Sequence, residues 1–211
     1  MEIAELAANR SVLARHGKRL EYFTIAWNCL EGLVGIGAGL MAGSISLVGF
    51  GIDSFIEVTS GATLLWRMSH DTDLERRERA EHLALRIVGL CFLGLALYVG
   101  VEALATLVHQ EAPQRSFAGI ALAIASLMVM PFPARAKRRV AGRLGSAAMT
   151  GDAKQTEFCA YLSAILLAGL LLNAGFALWW ADPAAALIMV PIITKEGVDA
   201  LRGKTCCDHC P

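Results

Sequence analysis

Apolar residues in this chain come in long blocks, not in the stripes of a half-buried surface helix. Six blocks are evident, the first three comfortably of helical-span length and the last the weakest, and polar clusters separate them. A helix rising about 1.5 Å per residue needs about 20 apolar residues to cross the hydrocarbon of a bilayer. The pattern predicts six transmembrane helices over residues 20–41, 45–66, 87–108, 117–133, 148–172 and 183–201. The fourth is short and ends at a Pro131/Pro133 pair. The apolar run of the fifth, 158–172, spans only if the preceding GDAKQTE is drawn in with its acids. Pro191 interrupts the sixth, whose end carries Lys195, Glu196 and Asp199. The fold class expected is an all-α membrane protein, with a polar segment 1–19, a six-helix domain 20–201 and a tail 202–211.

Composition agrees. The 211 residues are 55% hydrophobic and 18% charged, and the mean hydropathy is +0.52. A soluble domain of this size is more polar. The formal net charge of zero is uninformative, but the placement of charge is not. Basic residues gather before the first span, between spans two and three (Arg67, Arg76, Arg77, Arg79), between spans four and five (Arg135, Lys137, Arg138, Arg139, Arg143) and in the tail (Arg202, Lys204). The opposite connections hold Arg115 alone. The positive-inside rule then predicts cytoplasmic N- and C-termini in a multi-pass protein of the inner (plasma) membrane. Trp179 and Trp180 fit an outer interfacial belt, with Asp182 as N-cap and Pro183 as first residue of span six. Gly32, Gly35, Gly37 and Gly39 suit span one for close helix packing.

Against this apolar background the acids are conspicuous. Asp53 and Glu57 lie four residues apart within span two, so both point the same way. A carboxylate at mid-bilayer costs about 2.5–3.5 kcal/mol even on lenient scales. Two on one face repel unless a proton or cation lies between them. Span one contributes Glu31 and Asn28 as accessory or proton-coupling groups, and span five contributes Asp152, Glu157 and Thr156. Asp152 and Glu157 are five positions apart and so about 140° apart around a helix. They cannot both face one ion squarely, and the residue one turn before Glu157 is Ala153.

Of six cysteines, Cys29, Cys91 and Cys159 lie in apolar segments and read as small core residues. Cys206, Cys207 and Cys210, with His209, form a tail able to bind metal in a reducing compartment. No phosphate-binding loop or nucleophile elbow is present, so no enzyme and no nucleic-acid partner is expected.

GSISLVGFGIDSFIE, with its acid pair, and the fifth span followed by WWADPAAAL resemble the cation diffusion facilitator (cation efflux) family, in a short branch without the usual cytoplasmic domain. The resemblance implies a homodimer of six-helix subunits that exports Zn²⁺, or Co²⁺, Fe²⁺, Mn²⁺ or Cd²⁺, from the cytoplasm by proton antiport. It also implies metal ligands at Asp53, Glu57 and Glu157. Where the family usually has His or Asp this chain has Ala153, which leaves Asp152 as the substitute. An all-oxygen site of this kind would be harder and less selective than one with an imidazole. The alternative reading is a metal-sensing or accessory membrane protein acting through its Cys/His tail.

Overall fold

The computed structural model describes residues 2–69, 74–110, 112–145 and 147–202, with side chains over 12–66, 86–110, 112–145 and 149–202. Seven α-helices follow in order: α1 Glu2–Ala42, α2 Ile45–Ser69, α3 Leu74–His109, α4 Phe117–Val129, α5 Pro131–Leu144, α6 Ala147–Phe176 and α7 Ala181–Leu201. Helices α4 and α5 run on as a single apolar rod, Phe117–Leu144, so the bundle has six rods. Five satisfy both length and apolarity for a membrane span. The sixth, α7, has 21 residues, about 31 Å at 1.5 Å per residue, and fails on apolarity through its polar second half. The protein is an all-α, multi-pass membrane protein.

The periodicity predicts that span four stops at 133, but the helix carries on to Leu144. Pro131 takes the first helical position of α5, where a missing N–H costs nothing. The Met130 N–H still reaches Ser126 O at 2.9 Å, and the Ala134 N–H reaches Met130 O at 3.2 Å. The basic stretch expected in a loop is therefore helical, and it carries Lys137 on its buried face.

A second difference concerns Asp182. The capping position of α7 is Trp180, without a side-chain cap. Asp182 turns away from its own helix and accepts from Ser44 Oγ at 2.6 Å, from the Ile45 N–H at 3.0 Å and from Ser46 Oγ. It thus caps α2, placing a carboxylate at the positive end of that helix. Ser44 assists by accepting from the Leu47 N–H at 3.2 Å. Gly43, at φ +65°, supplies the left-handed residue that ends α1.

Glycine sets the helix crossings. A Cβ on Gly35 would stand 3.0 Å from Gly51 Cα, and one on Gly51 2.7 Å from Ile36 N, so the α1 and α2 backbones touch. Gly32 and Gly39 also abut α2, whereas Gly37 has nothing near it. Gly89 of α3 and Gly197 of α7 form a comparable crossing, each Cβ position within 3.0 Å of the other's carbonyl oxygen.

The polarity of the molecule is inverted relative to a soluble protein. Leu33, Leu40, Leu97, Phe117, Phe132 and Phe176 are exposed, while Glu21, Asn28, Glu31, Asp53, Ser54, Glu57, Lys137 and Thr156 are buried. Between them lies an apolar core that includes Leu47, Phe50, Val99, Met130, Leu166 and Met189. Lipid tolerates the outer surface, and the polar side chains find partners only inside.

Candidate functional site

Three helices turn polar stripes toward the interior. On α1 the stripe is Glu21, Thr24, Asn28 and Glu31, spaced three, four and three. On α2 it is Asp53, Ser54 and Glu57, and on α6 it is Asp152, Thr156, Cys159 and Ser163. These are the intervals that keep side chains on one helical face.

Asp53 is 3% exposed and Glu57 6%. Asn28 Nδ2 donates to Glu57 Oε2 at 2.7 Å, which ties α1 to α2 at this level. Among the described residues the Asn28 Oδ1, beside this pair, is buried without a partner. Orphaned acceptors of this kind are uncommon in folded proteins and call for an explanation. Glu31 completes the group: Trp27 Nε1 donates to Oε1, and Ser54 Oγ and Cys159 Sγ approach Oε2 at 3.4 and 3.7 Å. Asp53 lies within electrostatic reach of Glu31 and of Glu196 on α7, and Cys159 within reach of Glu57, Glu31 and Asp53. Among the described residues no three carboxylates, thiols or imidazoles are close enough to close around one metal ion.

The expected ligand Glu157 does not join this group. It is 37% exposed and ion-paired with Arg138 of α5. The inward stripe of α6 passes through Thr156, so its neighbour Glu157 is rotated about 100° onto the flank, where Arg138 meets it. Ala153, Thr156 and Cys159 are the buried side chains at this level. Cys159, read from sequence as core filler, takes the inward position. Its signal was there in the spacing: three residues after Thr156 and seven after Asp152.

Asp152 does face inward, but toward a different partner. The Lys137 Nζ, 1% exposed, donates to Glu21 Oε2 at 2.9 Å, to Asp152 Oδ2 and to Thr156 Oγ1 at 3.4 Å. Neither Glu21 nor Lys137 was singled out by the sequence reading, although Glu21 falls on the same stripe as Asn28 and Glu31. A Cβ on Gly61 would stand 3.4 Å from Glu21 Oε2, so the bare backbone of α2 makes room for this cluster one turn beyond Glu57. The tail residues Cys206, Cys207, His209 and Cys210 lie outside the described residues.

Comparisons with known proteins agree with this architecture. The chain is 27% identical over 182 residues to the uncharacterized transporter MJ0449 of Methanocaldococcus jannaschii, covering 83% of this chain and 64% of that protein. It is 26% identical over 175 residues to the uncharacterized transporter sll1263 of Synechocystis, covering 79% and 56% respectively. The chain thus spans less than two thirds of the length of either relative. A family profile described as the cation efflux transmembrane domain matches residues 23–204, which takes in the second half of α1, the other five rods and the polar clusters apart from Glu21. The chain belongs to the cation efflux family.

Proposed function

We propose that this protein carries a divalent metal cation across the membrane, with Asp53 and Glu57 as its anchoring ligands. The observation that carries the reading is the Asn28 Oδ1, a buried acceptor without a donor, set beside the three buried acids Asp53, Glu57 and Glu31. Acceptors sequestered from water and from donors are stabilised by a cation, and hydrocarbon supplies no alternative.

Cys159 and Glu31, both within electrostatic reach of the pair, close the shell as the helices approach. A thiolate among carboxylates is softer than an all-oxygen site, which favours Zn²⁺ over Mn²⁺ and keeps Cd²⁺ and Co²⁺ within range. Glu157 is left out of the shell, since Arg138 holds it. Asp152 serves the metal only when Lys137 lets it go.

The cytoplasm is the source of the ion, as the family resemblance implies, and the charge asymmetry of the loops puts both termini on that side. Metal arriving among carboxylates displaces the protons they hold. Protons from the far side compete the metal off once the helices rock the site outward. Competition of this kind gives the two states different affinities, which alternating access requires. The glycine crossings of α1 with α2 and of α3 with α7 are smooth enough to let the rods slide. The working unit is a homodimer in the plasma membrane, as the resemblance implies.

The test is flux. Wild-type protein in proteoliposomes should take up Zn²⁺ with counterflow of protons, read by a metal dye and a pH dye together. Asp53→Asn should abolish both signals while the protein keeps its helical content and elutes as the wild type does. Undiminished uptake by Asp53→Asn would remove the site assignment.

A further inference from the structure

The Glu21–Lys137–Asp152 cluster is costlier than its surroundings require. Three ionisable groups have been taken out of water, and burying charge costs several kcal/mol per ion unless geometry and hydrogen bonding compensate. Compensation is incomplete: the Glu21 Oε1 is buried with no partner, while Oε2 of the same carboxylate holds the lysine. Two carboxylates against one ammonium leave an excess negative charge in the interior. A divalent ion in the same seat would neutralise both acids and engage the orphaned oxygen.

The location bears on this. Glu21 comes from α1, Lys137 from α5 and Asp152 with Thr156 from α6, so the seat is shared by three rods. It adjoins Gly61, one turn along α2 from Glu57, and Glu57 lies within electrostatic reach of both Lys137 and Asp152. A cation leaving this seat inward meets Glu57 next. Lys137 itself sits on α5, beyond the Pro131 junction with α4, so it can swing with that segment. The adjacent Arg138–Glu157 pair lies at the exposed edge.

We propose that Glu21 and Asp152 form a second, inner cation station, held by the tethered Lys137 ammonium when vacant, and that an incoming divalent cation exchanges with that ammonium before passing to Asp53 and Glu57. Lys137 is the latch of the station: its charge keeps the two acids together and excludes monovalent ions, and only a doubly charged ion displaces it. The passage onward rests on the transport reading above, but occupancy of the station does not. Metal counting and flux therefore fail separately.

The test counts bound Mn²⁺, chosen because it prefers oxygen ligands and has little affinity for the tail thiols. The full-length protein is placed in phosphatidylcholine nanodiscs, and binding is read from loss of the free-ion EPR signal. All variants carry Asp53→Asn and Glu57→Gln, which remove the central pair. In that background one weak equivalent of Mn²⁺ is expected. Adding Lys137→Met should tighten it at least about 10-fold, equivalent to about 1.4 kcal/mol, because the ammonium no longer competes. Adding Glu21→Gln should remove the equivalent in either case. Unchanged Mn²⁺ affinity on loss of Lys137, or an equivalent that survives Glu21→Gln, would overturn the proposal. If the Lys137→Met protein does not fold, the lysine-containing pair decides alone: an equivalent that depends on Glu21 supports the station, and no binding at millimolar Mn²⁺ refutes it.

Discussion

The bundle holds two acidic clusters that differ in one respect. At Asp53 and Glu57 the carboxylates meet an amide and another acid, and among the described residues neither forms an ion pair. At Glu21 and Asp152, one turn further along α2, the protein provides the cation itself through Lys137. The filled cluster is what a buried acid pair looks like once satisfied internally. By contrast, the central pair is built for something that comes and goes. The stripes of α1 and α6 contribute to both clusters, so a shift of either rod changes both together.

The comparison can be broken at several points. The largest effect is expected at the central pair. Asp53→Asn should lower Zn²⁺ uptake by about 100-fold or more, since even groups that only support a metal ligand account for 10–100-fold in affinity; uptake within about threefold of wild type would contradict it. Next comes the latch. Lys137→Met strands two buried acids, and breaking a buried pair costs about 3–5 kcal/mol. Thermal unfolding in detergent should show this loss, and the triple variant Glu21→Gln, Lys137→Met, Asp152→Asn should recover most of it. Equal melting of the single and triple variants would show that the ion cluster is not what Lys137 stabilises.

Cys159→Ser should have a moderate effect: about a tenfold fall in the preference for Zn²⁺ over Mn²⁺ in competitive uptake, through loss of the one soft donor. An unchanged preference would place the thiol outside the shell. The smallest effect is expected at Glu157→Gln. An exposed ion pair contributes about 0–1 kcal/mol, so uptake should stay within about twofold of wild type. A loss as large as that of Asp53→Asn would mean that α6 turns Glu157 inward in the working cycle.

Much of this was legible from residue pattern alone. Apolar blocks locate the six rods, because lipid imposes a length and an apolarity that few other environments demand, although α1, α3 and the α4–α5 rod run ten or more residues past the predicted ends. Asp53 and Glu57 stood out because acids four apart in such a block have no cheap explanation. The rest depended on rotation and partnership. Lys137 looked like one more loop charge, because Pro131 and Pro133 read as a stop, whereas at a first turn proline continues the helix. Both Asp152 and Glu157 read as metal ligands, yet one pairs with Lys137 inside and the other with Arg138 on the flank, because a single residue of offset rotates a side chain by about 100° and only packing says which face is inner. The local N-cap rule assigns Asp182 to its own segment, yet that helix is capped at Trp180 and the Asp182 carboxylate caps a helix 137 residues away in sequence.

Zn²⁺ uptake into proteoliposomes by the Asp53→Asn, Glu57→Gln double variant, set beside wild type under the same pH gradient, tests the central claim most directly. With the acid pair replaced by amides of the same shape, the account predicts that uptake falls to that of empty vesicles while the protein stays folded. Uptake at the wild-type rate would contradict it.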